Sequence, residues 1–310
     1  MRRALLAGAL TLALAGGADL YGPRLHGQDA SAGLRGAIDI HVHGLPDSRP
    51  RALHGIEAAR QAKARGMRAI VLKNHYEWTS GLAYLARQEV PGIEVFGGVD
   101  LNLPVGGINA HAVEYMRQTI GGYGRIVWMP TFDSENAVRF DNANRPFVSV
   151  SRDGQLLQPV KDVIALIAKY NLVLATGHST AAEGLMLVRE AKRAGVRQIV
   201  VTHAMNPPIL MTVPQMQEAA KLGAYIEFVG STLRSADAKE RMDRFAAAIR
   251  TIGPEFCILS SDLGQAMNEL PVDGFAAFIA AMRARGFTAQ ELDLMTKRNP
   301  ARVLALPATP

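Results

Sequence analysis

Short apolar runs rich in β-branched residues recur along the chain, and each run ends in polar residues. Amphipathic stretches with helical spacing separate them, among them Val160–Tyr170, Ala182–Ala194, Pro214–Leu222 and Lys239–Ile252. Glycines precede several of the next runs, as expected where a helix ends: Gly66, Gly195, Gly223 and Gly253. The runs predicted to be strands are Ala37–His43, Ala69–His75, Val95–Asn102, Ile126–Asp133, Leu172–His178, Ile199–His203, Ala224–Gly230 and Phe256–Asp262.

This alternation of strands and helices predicts an α/β fold. Eight strand–helix units within roughly 250 residues are typical of a (β/α)8 TIM barrel that forms a single domain. An open doubly wound sheet is the alternative, but it needs a glycine-rich nucleotide loop after the first strand, and none is present. The longest unit contains two polar stretches, Asp141–Arg145 and Ser149–Gly154, which are expected to form a long loop or a small hairpin over the barrel mouth.

The N-terminus differs in character from the rest of the chain. Arg2 and Arg3 precede the apolar run Ala4–Ala15, and small residues follow it, as in a secretory signal peptide. We therefore predict that residues 1–30 are a signal peptide and linker, that residues 31–310 form the barrel domain, and that the mature protein is periplasmic or secreted. A buried or anchoring helix is the alternative interpretation of the apolar run.

Composition narrows the class of partners. The chain has 310 residues, of which 48% are hydrophobic, and this is ample for a large core. Its net charge is +6, but lysines and arginines are scattered among acidic residues without a basic run, which argues against a nucleic-acid surface. We expect a small-molecule substrate, no nucleic-acid partner and no stable membrane anchor. Whether the chain forms a homo-oligomer is left open.

The positions of the histidines point to metal chemistry. Five of the eight end predicted strands, namely His41, His43, His75, His178 and His203. Strand ends of a (β/α)8 barrel converge at one mouth, where active sites lie. His41 and His43 are one pleat apart, so both side chains are predicted to face the interior and bind one ion, together with Asp262 at the last strand end. For any one of these histidines alone, a hydrogen-bonded core position is the alternative.

These motifs resemble those of the amidohydrolase superfamily of metal-dependent hydrolases. The pattern of that family places His-x-His on strand one, histidines on strands five and six and an aspartate on strand eight, matched here by His41, His43, His178, His203 and Asp262. The run Asn299-Pro300-Ala301 is similar to a closing helix of many members. The resemblance, over about residues 37–306, implies one or two ions of Zn²⁺ or another divalent transition metal. It also implies a water whose pKa falls toward ~7, with Asp262 as catalytic proton acceptor.

One feature departs from the family pattern. Binuclear members carry a bridging lysine or glutamate on the fourth strand, whereas Trp128–Asp133 contains neither. A lysine stands instead on the second strand, where Lys73 precedes His75 by two residues and shares its face. Lys73 is interpreted as a carboxylated bridge, a catalytic side chain that binds a substrate anion, or a structural ion pair. The histidine on strand two also resembles the PHP phosphoesterases, whose third-strand acid would correspond to Asp100.

Further polar residues near strand ends are candidates for the site. His203 is either a metal ligand or a catalytic acid or base, and Asp39 is expected to support the histidines or to pack as an ordinary ion pair. Asn206 and Glu227 either contact substrate or act as turn residues. The candidates for binding substrate or an additional metal are His75, Asn102 and Asp133.

The sequence thus predicts an enzyme, a metal-dependent hydrolase that cleaves an amide, lactone or ester bond. A PHP-like phosphoesterase and a metal-dependent decarboxylase are the enzymatic alternatives. The alternative outside enzymes is an exported metal- or ligand-binding protein. Asp262 favours the enzyme, because a protein that only binds its ligand needs no proton acceptor at that strand end.

Overall fold

A computed structural model describes residues 33–307 of the chain. Eight parallel strands form a nearly closed barrel surrounded by helices, which confirms the predicted (β/α)8 fold. The predicted signal peptide lies outside the described residues, and export stays a prediction. The strands in chain order are β1 (Ile38–Val42), β2 (Ala69–Leu72), β3 (Glu94–Asp100), β4 (Gly124–Trp128), β5 (Ser151–Arg152), β6 (Gln155–Leu156), β7 (Val173–Ala175), β8 (Gln198–Val201), β9 (Tyr225–Val229) and β10 (Cys257–Ser260).

Helices connect the barrel strands and end close to the predicted positions, and the four glycines expected after them all have positive φ. Three helices begin with a reciprocal capping box, in which threonine and the third helical residue bond each other's backbone. Within residues 33–307, no helix combines the length and apolar character needed to cross a bilayer. The helices are α1 (Gly55–Ala64), α2 (Ser80–Glu89), α3 (Ala110–Gln118), α4 (Glu135–Phe140), α5 (Gln158–Lys169), α6 (Ala181–Arg193), α7 (Val213–Lys221), α8 (Ala238–Ile252), α9 (Pro271–Arg283), α10 (Ala289–Asp293) and α11 (Asn299–Val303).

The sequence predicted either a long loop or a small hairpin between β4 and β7, and the structure contains a small hairpin. Strands β5 and β6 pair antiparallel and stand apart from the barrel sheet. The preceding segment is attached to the fourth strand end, because the Val148 amide donates to the Asp133 carbonyl at 2.7 Å. Arg145 donates to the Asp133 carboxylate at 2.6 Å. The extra length is therefore an ordered addition beside the barrel.

Strand β1 carries an irregularity between Asp39 and Val42, the stretch that contains His41. Asp39 pairs with Ile70 and Val42 with Leu72, so β1 uses one more residue than β2 over this stretch. Ile38 and Ile40 pack in the barrel interior, whereas Val42 packs in the outer layer between strands and helices. The extra residue therefore shifts the inward-facing side from even to odd positions, and bulges of this kind re-aim side chains near active sites.

The barrel closes between β1 and the end of β10. The Asp262 amide donates to the His41 carbonyl at 2.9 Å, and the His43 amide donates to the Leu263 carbonyl at 2.8 Å. These bonds join the first and last barrel strands, which are distant in sequence, into one ladder. The opposite end is covered by α11, where Val303 and Leu304 join the interior cluster.

Candidate metal centre

Three predicted ligands converge at the closing seam of the barrel. Asp262 Oδ1 lies 3.1 Å from His41 Nε2 and 3.1 Å from His43 Nε2. The candidate ligand atoms of these residues all lie within 4.8 Å of one another. The side chains of His41 and His43 are buried, and that of Asp262 is partly exposed. This is a compact set of nitrogen and oxygen donors, of the kind that divalent transition metals prefer.

Each of the two histidines is oriented through its other ring nitrogen. His43 Nδ1 lies 2.6 Å from the Lys73 carbonyl oxygen, which can only accept, so Nδ1 carries the proton. His41 Nδ1 lies 3.1 Å from Glu227 Oε1, a carboxylate acceptor. Both contacts direct Nε2 toward Asp262. Supporting acceptors of this type fix the tautomer and ring orientation of histidines that bind metals.

The backbone is strained at two of the strand ends in this site. His203 has φ of 22° and Asp262 has φ of 50°, in the left-handed region that side chains other than glycine rarely adopt. His203 lies two residues after the end of β8, and Asp262 lies two residues after the end of β10. Such strain costs about 1–3 kcal/mol and is concentrated at functional sites.

His178 and His203 lie beside this cluster and pair with each other. Their Nε2 atoms are 3.2 Å apart, and the ring of His203 stacks against that of His41 with centroids 6.0 Å apart. The Nδ1 atoms of both residues are buried without a hydrogen-bond partner among the described residues. Buried polar atoms without partners are uncommon and indicate a missing ligand or ion.

Burial keeps most of these histidines neutral. It lowers the pKa of His43 to about 3 and the pKa values of His75, His178 and His203 below their usual range. Burial also acts on His41, but the charges of Asp262 and Glu227 outweigh it and raise the His41 pKa. A neutral imidazole is the form that binds a metal ion.

The carboxylates of the cluster are ionised. Burial opposes ionisation of Asp262, but neighbouring groups, His41 foremost, outweigh it and hold the Asp262 pKa below its usual range. The pKa of Glu227 is lowered in the same way, because His41 outweighs its burial. Asp39 differs, since burial raises its pKa to about 6. Asp39 accepts hydrogen bonds from the amides of His41 and Ser261, so it supports the seam, as expected for a second layer.

The residues present fit a divalent ion for a specific reason. His43 is neutral with its proton on Nδ1, so Nε2 presents a lone pair to the ionised Asp262 oxygen 3.1 Å away. Two acceptors at this separation repel each other unless a cation lies between them. His41, His43 and Asp262 could hold such an ion. His178 and His203 lie outside this set of donor atoms but line the same cavity.

Lys73 lies below the cavity in a separate buried network. Its Nζ is 2.9 Å from Asp100 Oδ2, and both side chains are fully buried. Asp100 Oδ2 also contacts His75 Nδ1 at 3.3 Å and accepts from Thr131 Oγ1 at 3.0 Å. Of the three interpretations of Lys73, the geometry shows the ion pair. Asp100, which the PHP resemblance would make a metal ligand, is occupied by this lysine.

Asn102 and Asp133 form hydrogen bonds with backbone groups around this network. Asn102 donates to the His75 carbonyl at 2.6 Å and accepts from the Thr131 and Asp133 amides. Asp133 accepts from the Leu103 amide at 3.0 Å and from Arg145 at 2.6 Å. Neither residue lines the cavity beside the metal centre. His75 does line it, with its ring 3.9 Å from that of Phe132.

The cluster opens into a cavity of about 660 Å³ at the carboxyl ends of the strands. A volume of this size suits a small molecule. Two features of the site were missed from the sequence: Arg49 and Arg51, in the loop after β1, and the contact between Glu227 and His41. The lining residues are His41, His43, Ser48, Arg49, Pro50, Arg51, His75, Tyr76, Phe132, His178, His203, Asn206, Pro207, Asp262 and Gln265.

Fold and site together define a (β/α)8 barrel with a histidine–carboxylate cluster suited to a divalent metal at its mouth. The chain belongs to a family of unknown function (DUF6282), whose model matches residues 36–227. That stretch contains four of the five candidate ligands and ends at Glu227, before Asp262. A comparison with curated proteins finds no match.

Solved structures of the amidohydrolase superfamily share this fold. An amidohydrolase from Pseudomonas aeruginosa is 12% identical, with a TM-score of 0.60 over 89% of this chain and 97% of that chain. A zinc-bound amidohydrolase from Burkholderia multivorans is 16% identical, with a TM-score of 0.60 over 87% and 99%. A 2,6-dihydroxybenzoate decarboxylase from Rhizobium is 12% identical, with a TM-score of 0.53 over 87% and 99%. The predicted resemblance is confirmed at the level of the fold, whereas the relation to PHP enzymes stays a prediction.

Proposed function

We propose that this protein is a metal-dependent hydrolase that uses water to cleave an amide, lactone or ester bond. The observation that carries the proposal is the convergence of the candidate ligand atoms of His41, His43 and Asp262, all within 4.8 Å of one another, beside a cavity for a small molecule. Zn²⁺ is the ion that best suits these donors, and the zinc-bound neighbour supports that choice. A divalent ion held by His41, His43 and Asp262 would supply an activated water and polarise the substrate carbonyl.

Asp262 is the group to which we assign proton transfer. Its side chain is 20% exposed, whereas those of His41 and His43 are 1% exposed, so a substrate in the cavity reaches Asp262 most directly. Ser231 Oγ donates to Asp262 Oδ2 at 3.0 Å and fixes the carboxylate. Asp262 accepts the proton that the attacking water loses and delivers it to the departing nitrogen or oxygen, so the products are an acid and an amine or alcohol.

The test compares the loss of Asp262, the proton acceptor and one of three proposed ligands, with the loss of His41, a proposed ligand without an assigned role in proton transfer. Asp262→Asn keeps the side-chain size and should lower turnover of an identified amide, lactone or ester by about 10²–10⁴-fold, the usual range for general acid–base catalysis. His41→Ala should lose bound metal and activity together. Metal content is measured by elemental analysis, turnover on a substrate panel and folding by circular dichroism.

Asp153→Asn is the matched control for this test. Asp153 is exposed and has φ of 51°, close to the 50° of Asp262, so the same substitution probes the same backbone conformation away from the site. It should leave turnover and metal content unchanged. Wild-type turnover in Asp262→Asn would remove Asp262 from the mechanism, and a protein without affinity for any divalent metal would remove the proposed function.

Metal-dependent decarboxylation is the second candidate, favoured by the Rhizobium neighbour and by two arginines in the cavity lining. The two reactions differ in what water contributes. Hydrolysis in H₂¹⁸O places the label in the product acid, whereas decarboxylation replaces the lost CO₂ by a proton. Mass spectrometry of the products from a carboxylate substrate therefore separates them.

A further inference from the structure

The charge of the cavity lining comes from few side chains. Among the described residues that line it, Arg49 and Arg51 are the basic ones and Asp262 is the one carboxylate. Both arginines belong to the loop between β1 and α1, directly after the two histidines of the metal centre. The cavity therefore has a cationic wall beside the proposed reaction site.

This loop is held against the closing seam by backbone pairing. Arg51 forms an isolated antiparallel bridge with Gln265, and the Ala52 amide donates to the Gly264 carbonyl at 2.8 Å. The segment it pairs with begins only two residues after Asp262. The arginines are thus placed next to the metal centre by main-chain hydrogen bonds, which do not depend on the arginine side chains.

Arg51 is fixed through one end of its guanidinium group. Its Nε donates to Asp47 Oδ2, and Asp47 Oδ1 accepts from the Arg49 amide at 3.2 Å. Arg51 is only 8% exposed, yet its Nη2 has no hydrogen-bond partner among the described residues. A buried donor without a partner, on a residue that lines the cavity, indicates that a bound acceptor completes it.

The Arg49 side chain packs against an aromatic ring and has no ion-pair partner among the described residues. Its guanidinium carbon lies 4.1 Å from the centre of the Phe132 ring, and the Arg49 residue is exposed at the cavity rim. No described residue accepts a hydrogen bond from its side chain. Stacking occupies the face of a guanidinium group and leaves its N–H edge available for a planar oxyanion.

We propose that the substrate of this cavity carries a carboxylate group that Arg49 and Arg51 bind, which places the rest of the molecule toward His41, His43 and Asp262. The identity of this ligand as the substrate rests on the proposed function, whereas carboxylate binding itself does not. Asp47 and Glu77 both interact with Arg51 and reduce the positive charge there, which favours a monoanionic carboxylate over a phosphate dianion. Bidentate pairing of guanidinium with carboxylate gives both affinity and orientation.

The experiment measures binding of three probes to protein from which metal has been removed by a chelator, so that no metal–carboxylate bond contributes. The probes are benzoate, its neutral isostere benzamide, and phenyl phosphate, each titrated by calorimetry. Benzoate should bind in the millimolar range that is usual for a molecule of this size, with benzamide about tenfold weaker. Phenyl phosphate should bind no more tightly than benzoate.

Variants then assign the binding to the two arginines. Arg49→Gln should weaken benzoate about tenfold, as expected for one charge-assisted contact, and leave benzamide unchanged. Because Arg51→Gln would leave Asp47 buried without its partner, Arg51→Lys is the second variant, and it should weaken benzoate by loss of the bidentate fork. Arg60→Gln, at an exposed arginine on α1, is the control and should bind benzoate as wild type does.

Three outcomes would overturn the proposal. They are equal binding of benzoate and benzamide, wild-type affinity for benzoate in Arg49→Gln, and tighter binding of phenyl phosphate than of benzoate. Absence of benzoate binding up to about 50 mM would also overturn it. A protein that binds benzoate in this arginine-dependent way but never binds a metal would retain the carboxylate site and lose the hydrolase. The two proposals therefore fail separately.

Discussion

Glu227 joins three parts of the candidate metal centre through one carboxylate. Its Oε1 contacts His41 Nδ1 at 3.1 Å and accepts from Ser260 Oγ at 2.6 Å, while Oε2 accepts from the His203 amide at 2.9 Å. The residue is 2% exposed and does not line the cavity, so it acts through His41 and His203 as a positioning residue. Contact with substrate, one of the two interpretations that the sequence offers for Glu227, is therefore not what the geometry shows.

We expect Glu227→Gln to weaken metal binding by about 10–100-fold, the usual effect of removing such a supporting carboxylate. Glutamine keeps the shape but brings an NH₂ group to donors that need an acceptor. Affinity is measured by competition with a chromophoric chelator, and the His41 Nδ1–H signal is followed by NMR, since a merely structural defect would not move it selectively. Glu240→Gln, on the exposed side of α8, is the control. Wild-type metal affinity in Glu227→Gln would contradict the positioning role.

At the scale of elements, the contact between β1 and the end of β10 holds both the candidate ligands and the loop after β1 in place. The segment after β10 contacts β1 on one side and the loop that carries Arg49 and Arg51 on the other. Gly264 lies where these three segments meet. Gly264 has φ of +123°, and a Cβ atom there would lie 2.0 Å from the His43 carbonyl oxygen. Only glycine fits this position without moving the backbone of a candidate ligand.

Gly264→Ala should therefore reduce the free energy of unfolding by about 2–4 kcal/mol, from backbone strain and overpacking together. Metal affinity should fall as well, because the His43 backbone must shift. Urea unfolding and chelator competition measure the two effects. Gly81→Ala is the control, since Gly81 lies in α2 with nothing within 4 Å of an added Cβ, and it should be neutral or slightly stabilising. A Gly264→Ala protein with wild-type stability and affinity would show that the seam tolerates movement.

At the scale of the whole molecule, the barrel buries several histidines that burial keeps neutral. Between an ordinary histidine pKa near 6.5 and the His43 pKa of about 3, the unfolded chain takes up a proton that the folded chain does not. Acidification therefore favours unfolding, and the low pKa values of Asp262 and Glu227 act in the same direction. Asp39, with its pKa raised to about 6, acts in the opposite direction, as do His41 and Asp100, whose pKa values are also raised.

The metal-free protein should consequently lose stability as the pH falls from 7 to 5, with about 2 kcal/mol from His43 alone. The free energy of unfolding in urea at each pH measures this loss. His43→Asn should reduce the loss, whereas His111→Gln, at an exposed position on α3, should leave it unchanged. Zn²⁺ at a hundredfold excess over its dissociation constant should add about 3 kcal/mol at pH 7. Stability that is independent of pH over this range would contradict the assignment of buried neutral histidines.

The sequence alone determined the barrel and the location of its mouth. Apolar runs, helical periodicity and glycines at helix ends are local signals, and they placed the eight barrel strands and predicted four helices to within two residues. The histidines and Asp262 stood out because each ends a strand, and all parallel strands end at one face. The same local signals predicted that Lys73 and His75 face the same side, and both contact Asp100 just beyond the end of β2.

The tertiary structure alone decided which of these residues meet. The bulge in β1 sets the inward face at His41 and His43, and the seam to β10 brings Asp262 to them, both of which depend on register between strands. Lys73 proved to be ion-paired because β3 places Asp100 beside it. Glu227 and the two arginines reach the site through a strand and a loop whose partners are distant in sequence. No local pattern contains such contacts, because they arise from strand pairing and loop packing once the barrel has closed.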